Sequence, residues 1–427
     1  MKKKSIILML CVVAGLYACT SADEVANTKA PPASVKEPVA EMPLTPREDI
    51  VLTRGEQAVV TANHVFAFDL LRRVSGDEPE SNLLISPLSL SLAMAMLNNG
   101  ADGATQAEIQ QALGGGDLTH EDINGYFRKI VTAMQELDPS VSFESANSIW
   151  AAEWFPILET FIEINRTCFD AEARNFSDVA AGIKQINDWC NEKTHGMIPK
   201  VLDDGDEGVV YLLNALYFKG PWTLPFDESL TKDAPFAHQN GATSPVPMMR
   251  FEGPVQLMYG RTETFELLEL PYGNEAFGMT LLLPAEGVSA ASVVEGLDAA
   301  AWDAALSGMH AAKVEVRLPR FKTDYTRVLN EDLKALGIKS MFEDADFSLL
   351  TPEPLTVSIV LQKTAIELKE EGTEAAAVTL IIMVGALLGG GGGPAVIPVV
   401  EFNRPFIYFI KEKSTGSIVF SGIIQNL

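Results

Sequence analysis

The sequence predicts an α+β fold with antiparallel or mixed sheets in one principal domain, and three observations predict it. Helical periodicities and strand-like runs are mixed, without the regular alternation of a parallel α/β domain. The last third is dominated by strand patterns, and no internal repeat or second linker follows residue 50. At 427 residues and 47% hydrophobic content, the chain can bury a large core.

Each element follows from its residues. Between Gln57 and Val74 the stripe Val59, Phe66, Leu70 and Val74 has helical spacing. Ser86-Pro87 opens a small-residue helix that stops at Gly100, and Thr105 with Glu108 reads as a capping box for the next one. Another helix is expected from Ile183 to Lys193, ahead of the acidic turn "DDGDEG". "VVYLLNALYFKG" is nearly all apolar and reads as a buried strand. "FELLEL", "FGMTLLLP" and "KVEVRLPRF" add strands, the last alternating Val314, Val316 and Leu318. A helix through Leu329, Leu333 and Leu336 ends at Gly337, a natural left-handed cap. "LTVSIVLQKTAIEL", "RPFIYFIKE" and "SIVFSGII" complete the strand-rich end.

The N-terminus carries processing signals. Lys2, Lys3 and Lys4 precede the apolar "SIILMLCVVAGLYA", the pattern of an export leader too short to span as a mature helix. Leu16-Tyr17-Ala18-Cys19 resembles a bacterial lipobox, which implies a signal peptide over residues 1–18 and acylation of Cys19. An ordinary secretory leader with a chance cysteine is the alternative. "CTSADE" is similar to surface-export signals of Gram-negative lipoproteins, so an outer-membrane lipoprotein facing the periplasm or the exterior is expected. Residues 19–50 are rich in Pro, Ala and Glu and read as a flexible tether, with the folded domain at 51–427. Cys11 would leave with the leader. Cys168 and Cys190 would remain in an oxidising compartment, as a disulfide or as two separate thiols.

The formal net charge of −25 argues against a nucleic-acid partner, and no Lys/Arg cluster beyond Lys2–Lys4 offers a heparin-like site. Catalytic motifs are missing. "HEDIN" at His120 begins like a zinc-protease helix but has Asn124 where the second ligand belongs. Neither a GxSxG elbow nor a GxxxxGK phosphate loop occurs, and His64, His195, His238 and His310 lack ligand spacing. "DDGDEG" falls short of a calcium loop. No enzyme activity, cofactor or metal is expected.

One stretch is unusual. Residues 370–406, "EEGTEAAAVTLIIMVGALLGGGGGPAVIPVVEFNRPF", join a charged turn to a long apolar run and then to five glycines. Apolar runs belong in cores or membranes, and glycine runs in solvated loops. From about Gln57 to Leu427 the chain resembles the serpin family, in order and at family spacing. The residues that carry it are "NLLISPLSLSLAMAMLNNGADGATQAEI", "INDWCNEKTHGMIPKVL", "LLNALYFKGPWTLPF", "VPMMRFEG", "LELPYGNEAFGMTLLLP", "LPRFKTDYTRVLNEDLKALGIKSMF", "DADFSLL", "EEGTEAAAVT" and "FNRPFIYFI".

The resemblance implies three β-sheets, about nine helices and an exposed reactive-centre loop at about 370–401, in a native state short of the most stable one. It implies a monomeric, single-use inhibitor: the target protease cuts the loop, stays bound as an acyl-enzyme, and is carried off as the loop inserts into the central sheet. Inserting about fifteen residues at ~3.3 Å each would move the bait roughly 50 Å. The implied hinge is Glu370, Gly372, Thr373, Glu374, Ala375, Ala376 and Ala377, small or flexible enough to enter an opening sheet. On strand alternation Thr373, Ala375, Ala377, Thr379, Ile381 and Met383 would face inward. Family spacing puts the scissile bond between Ala386 and Leu387, with Leu388 as an alternate because Gly389–Gly393 lengthen the loop. A small residue at the bond resembles the preference of elastase-like proteases. Leu387 or Leu388 would suit chymotrypsin-like ones, and subtilisin-like and some cysteine proteases are further candidates.

Ser86, Ser89, Asn214 and Gln362 match the region where the family's sheet opens, and Trp222 matches the aromatic at its top, near Glu370. Gln362 stands where the family usually has histidine. It can donate to Asn214 but cannot be protonated, so pH control there is not expected. For all five residues plain core packing is the simpler role. Three rivals remain: a non-inhibitory serpin acting as a binding or chaperone-like lipoprotein, a membrane-active segment over Ala375–Gly393, and a hydrolase.

Overall fold

The apolar run around Asn214 is the middle of the largest sheet. In the computed structural model, which describes residues 4–12, 45–114, 118–205, 208–373 and 397–427, this run forms β5 (Val210–Pro221). Its neighbours are β1 (Lys4–Val12), β3 (Ser142–Ala152), β4 (Glu172–Phe176), β12 (Phe321–Val328) and β13 (Leu355–Leu368), in the order β12-β13-β1-β5-β3-β4. A two-residue strand, β14 (Gly372–Thr373), pairs with the far end of β5. β5 is buried almost throughout because elements cover both faces of this sheet, which removes the polar alternation of a half-exposed strand.

A second sheet runs β2 (Leu83–Ile85), β17 (Ile418–Ile424), β16 (Phe406–Glu412), β10 (Phe277–Pro284), β9 (Phe265–Tyr272) and β8 (Val255–Arg261). β11 (His310–Pro319) changes sheets midway: His310–Val314 pairs with β8, and Arg317–Pro319 with β7 (Thr243–Arg250). With β6 (Lys232–Ala237) and β15 (Val399–Glu401) that half forms a third sheet.

Nine helices surround these layers among the described residues: α1 (Arg54–Asp77), α2 (Pro87–Asn98), α3 (Gly103–Gly114), α4 (His120–Glu136), α5 (Glu159–Phe169), α6 (Val179–Lys193), α7 (Ala290–Glu295), α8 (Ala299–Ser307) and α9 (Asn330–Ala335). α1 starts at a true capping box, Thr53 with Glu56. α2 starts where Ser86-Pro87 predicts, with the Ser86 hydroxyl accepting from Ser89 N–H, and every one of its residues is buried. Its small side chains let it run beneath β5 and against β17. Beyond α9, Gly337 adopts φ +97°.

One expectation is corrected, and one open alternative is resolved. Thr105 and Glu108 do not cap α3, which begins two residues earlier. The buried Thr105 hydroxyl instead accepts from Asp346 N–H at 3.0 Å, and the Glu108 carboxylate takes the Lys339 and Ser340 N–H groups, each at 2.7 Å. No disulfide joins Cys168 on α5 to Cys190 on α6. The N-terminal apolar segment also takes an unforeseen place. Lys4–Val12 is extended and lies in the large sheet between β13 and β5, parallel to both. No described helix is long and apolar enough to cross a membrane, and no described group of His, Cys, Asp and Glu could hold a metal ion.

Candidate functional site at the top and centre of the large sheet

At the top, β13 ends at Leu368 and the chain turns back through Lys369–Glu371, with Lys369 and Gly372 exchanging backbone hydrogen bonds at 3.0 and 3.3 Å. Gly372 then pairs with Pro221, and Thr373 with Gly220, antiparallel to β5. Gly372 has φ +138°, and a Cβ there would sit 2.3 Å from the Gly220 carbonyl oxygen. The turn therefore requires glycine on both conformational and steric grounds.

Trp222 holds this return in place. Its ring stacks on Tyr272 with centroids 4.4 Å apart and planes 15° apart. Its indole N–H donates to the Lys369 carbonyl at 3.0 Å and its backbone N–H to that of Glu371 at 2.8 Å. The Tyr272 hydroxyl meets the Thr373 hydroxyl at 2.8 Å, with both side chains fully buried. Burial pushes the Tyr272 phenol well above its ordinary value, so it keeps its proton for this bond.

Glu370 is 2% exposed, beside an Arg320 side chain that is 35% exposed. Burial alone would raise its carboxyl. Hydrogen bonds from Arg320 Nη2 and the Thr231 hydroxyl, both 2.6 Å, outweigh that and hold it below the usual carboxylate range.

Asn214 lies about 26 Å of strand below Trp222. The Ser89 hydroxyl donates to Asn214 Oδ1, while Asn214 Nδ2 donates to Asn147 Oδ1 at 2.8 Å and to the Ser145 hydroxyl at 3.2 Å. The Ser86 hydroxyl donates to the Val419 carbonyl at 2.6 Å, so the start of α2 is tied to β17 as well.

Gln362 departs from expectation. It does not reach Asn214: its Oε1 accepts from Ser86 N–H at 3.1 Å and its Nε2 donates to Ser86 O at 3.0 Å. The reason is β1. Leu10 pairs with Asn214 on one side and Gln362 on the other, so the two residues stand two strand spacings apart, about 9–10 Å.

The structure thus groups Ser86, Ser89, Asn214 and Gln362 through α2, and Trp222 with Glu370, Gly372 and Thr373. Glu374, Ala375–Ala377, the bond at Ala386, Leu387 or Leu388, and Cys19 lie outside the described residues. Sequence reasoning missed Arg320, Thr231, Tyr272 and Asn147. Arg320 and Tyr272 fall inside the quoted "LPRF" and "LPYGNEAF" blocks, but nothing in the sequence links either to the hinge.

A sequence profile of the Serpin (serine protease inhibitor) family matches residues 61–427. Human Serpin B9 is 33% identical over 378 residues, covering 86% of this chain and 98% of its own length. The leukocyte elastase inhibitor of Equus caballus is 32% identical over 379 residues, covering 85% and 97%. The crystal structure of tengpin, a thermophilic serpin in the native state, matches with a TM-score of 0.77 at 31% identity, over 90% of this chain and 98% of its own. The chain belongs to the serpin family and has its fold, with three sheets and nine helices among the described residues.

Proposed function

We propose that this serpin is a single-use inhibitor of serine endopeptidases, working by insertion of its cleaved loop beside β5. The observation that carries the reading is the hinge register. Gly372 and Thr373 already pair antiparallel with Pro221 and Gly220, and the Thr373 side chain is turned into the core. Continued down β5, the same step sets Met383 opposite Val210 and moves the bait about 33 Å. Strand alternation then turns Ala375, Ala377, Thr379, Ile381 and Met383 to the side of Thr373, where small or apolar residues can be buried. Insertion adds a backbone ladder and apolar burial, which is the driving force for displacing a bound protease.

The target protease's serine oxygen would attack the carbonyl carbon of Ala386, forming an acyl ester and releasing the amine of Leu387. Rapid insertion would trap that ester before water cleaves it. Ala386 favours an elastase-like target, in keeping with the similarity to a relative named leukocyte elastase inhibitor. Residues 1–18 would be removed and Cys19 acylated, leaving 19–50 as a tether to the outer membrane.

The test is to incubate the processed protein with elastase-, chymotrypsin-, subtilisin- and papain-like proteases. A complex that survives denaturing electrophoresis, with mass spectrometry placing the cut at Ala386–Leu387, is the expected result. Loop cleavage with full release of active protease in every case would support the non-inhibitory, binding reading instead.

A further inference from the structure

The space that loop insertion needs is occupied along most of its length by β1. Ile6–Val12 pairs with Val210–Leu216 of β5, and Lys4–Cys11 with residues of β13 from Leu355 to Lys363, so the segment is held on both edges. β14 occupies only Gly220 and Pro221. Continuing its register sets Glu374 opposite Lys219, Ala375 opposite Phe218 and Ala376 opposite Tyr217. Ala377 would need Leu216, which is already paired with Val12. A loop entering from above can therefore advance only three residues, about 10 Å.

The composition suits the place. After Lys4 the segment Ser-Ile-Ile-Leu-Met-Leu-Cys-Val contains no charge, glycine or proline, and includes three β-branched aliphatic residues. It thus satisfies what a buried central strand needs as fully as what an export leader needs.

We propose that the uncleaved leader is an autoinhibitory strand: while residues 4–12 fill the slot between β5 and β13, the precursor cannot complete loop insertion, and removal of residues 1–18 arms it. The proposal rests on the reading of loop insertion as the working step and of residues 1–18 as a removable leader. Leader removal takes out the whole of β1. β5 and β13 can then pair directly, which halves the distance between Asn214 and Gln362 and brings them within side-chain reach.

The test compares three forms: the naturally processed protein, an unprocessable Cys19→Ala chain, and Cys19→Ala with Leu8→Pro. Leu8 pairs with Leu212 on one side and Val360 on the other, so proline there removes a ladder donor from a central strand without altering any residue of the domain. Against a protease that the processed protein traps, Cys19→Ala should give at least tenfold less covalent complex, releasing active protease and cut loop. Leu8→Pro should restore the yield. Amide exchange at Val210–Leu216 and Val357–Lys363 should be at least tenfold slower in Cys19→Ala than in the double variant. Equal complex yield in the three forms, or equal exchange in the two unprocessed ones, overturns the proposal. Failure of the processed protein to trap any protease would count against the inhibitory function, while the exchange comparison would still judge the placement of the leader.

Discussion

Arg320→Met removes the cation paired with Glu370 at the top of the large sheet. Glu370 is 2% exposed, and its carboxylate has two partners, Arg320 and Thr231, both at 2.6 Å. Breaking a fully buried pair costs about 3–5 kcal/mol, and a surface pair about 0–1. With Arg320 35% exposed, this pair falls between them, and about 2–3 kcal/mol is expected. For a domain over residues 61–427, about 2.1 cal/mol/K per residue makes 1 kcal/mol worth roughly 1.3 °C, so the melting temperature should fall by about 3–4 °C.

The effect must also depend on pH. Glu370 has a depressed carboxyl in the folded state, so its contribution is full above the unfolded value of about 4.3 and is lost as pH falls through the lower folded one. Scans at fixed rate from pH 8 to pH 3 should show wild type and Arg320→Met separated at neutral pH and converging below about pH 4. Adding Glu370→Gln should recover part of the loss by removing the stranded charge. A gap that stays constant to pH 3, or additive effects in the double variant, would refute the idea that a desolvated ion pair latches the hinge.

Other expectations follow from the same contacts. Gly372→Ala, at φ +138° with its Cβ 2.3 Å from Gly220 O, should free the β14 turn at a cost of about 1–3 kcal/mol; unchanged proteolytic resistance at residues 371–375 would contradict it. Thr373→Arg places a guanidinium where the native side chain is fully buried against Tyr272, so protease should be turned over instead of trapped, and an unaltered complex yield would count against insertion. Ser89→Ala strands the buried Asn214 Oδ1 and should cost about 1–3 kcal/mol, read as a lower denaturation midpoint. Cutting the loop of the processed protein should raise its melting temperature, since an added strand supplies a ladder and apolar burial; a flat or lower value would sink the stored-energy reading.

What could be read from the sequence was local. The stripe from Val59 to Val74, the Ser86-Pro87 start and the cap at Gly337 each depend on a few neighbouring residues, and each appears where its pattern puts it. The misses are long-range. Thr105 and Glu108 match a capping box, yet they serve partners more than 230 positions away in the chain. Arg320 and Glu370 are separated by 50 positions and meet only because β12 and the turn after β13 share one end of the sheet. Gln362 was expected beside Asn214 on family position. Its actual partner, Ser86, depends on whether a strand stands between β13 and β5, which no local pattern records.

That strand exposes a deeper ambiguity. A continuous apolar run describes an export leader and a central strand covered on both faces equally well, because neither is required to alternate. Among the apolar runs of this chain, those at residues 4–12 and 378–388 are the two that the proposal sets against one slot. Polarity separates them. The hinge leaves β13 through the short turn at Lys369–Glu371, so it can only return antiparallel to β13, as β14 does. The N-terminal run reaches α1 through residues 13–53, a connection long enough to let it enter in either direction, and it lies parallel. If the loop inserts as proposed, two segments of opposite direction compete for the same edges of β5 and β13, and only a removable leader could vacate them for good. On the proposed reading, proteolytic processing at the N-terminus and proteolytic attack on the loop are sequential conditions on a single sheet: the first would empty the slot, and the second would fill it.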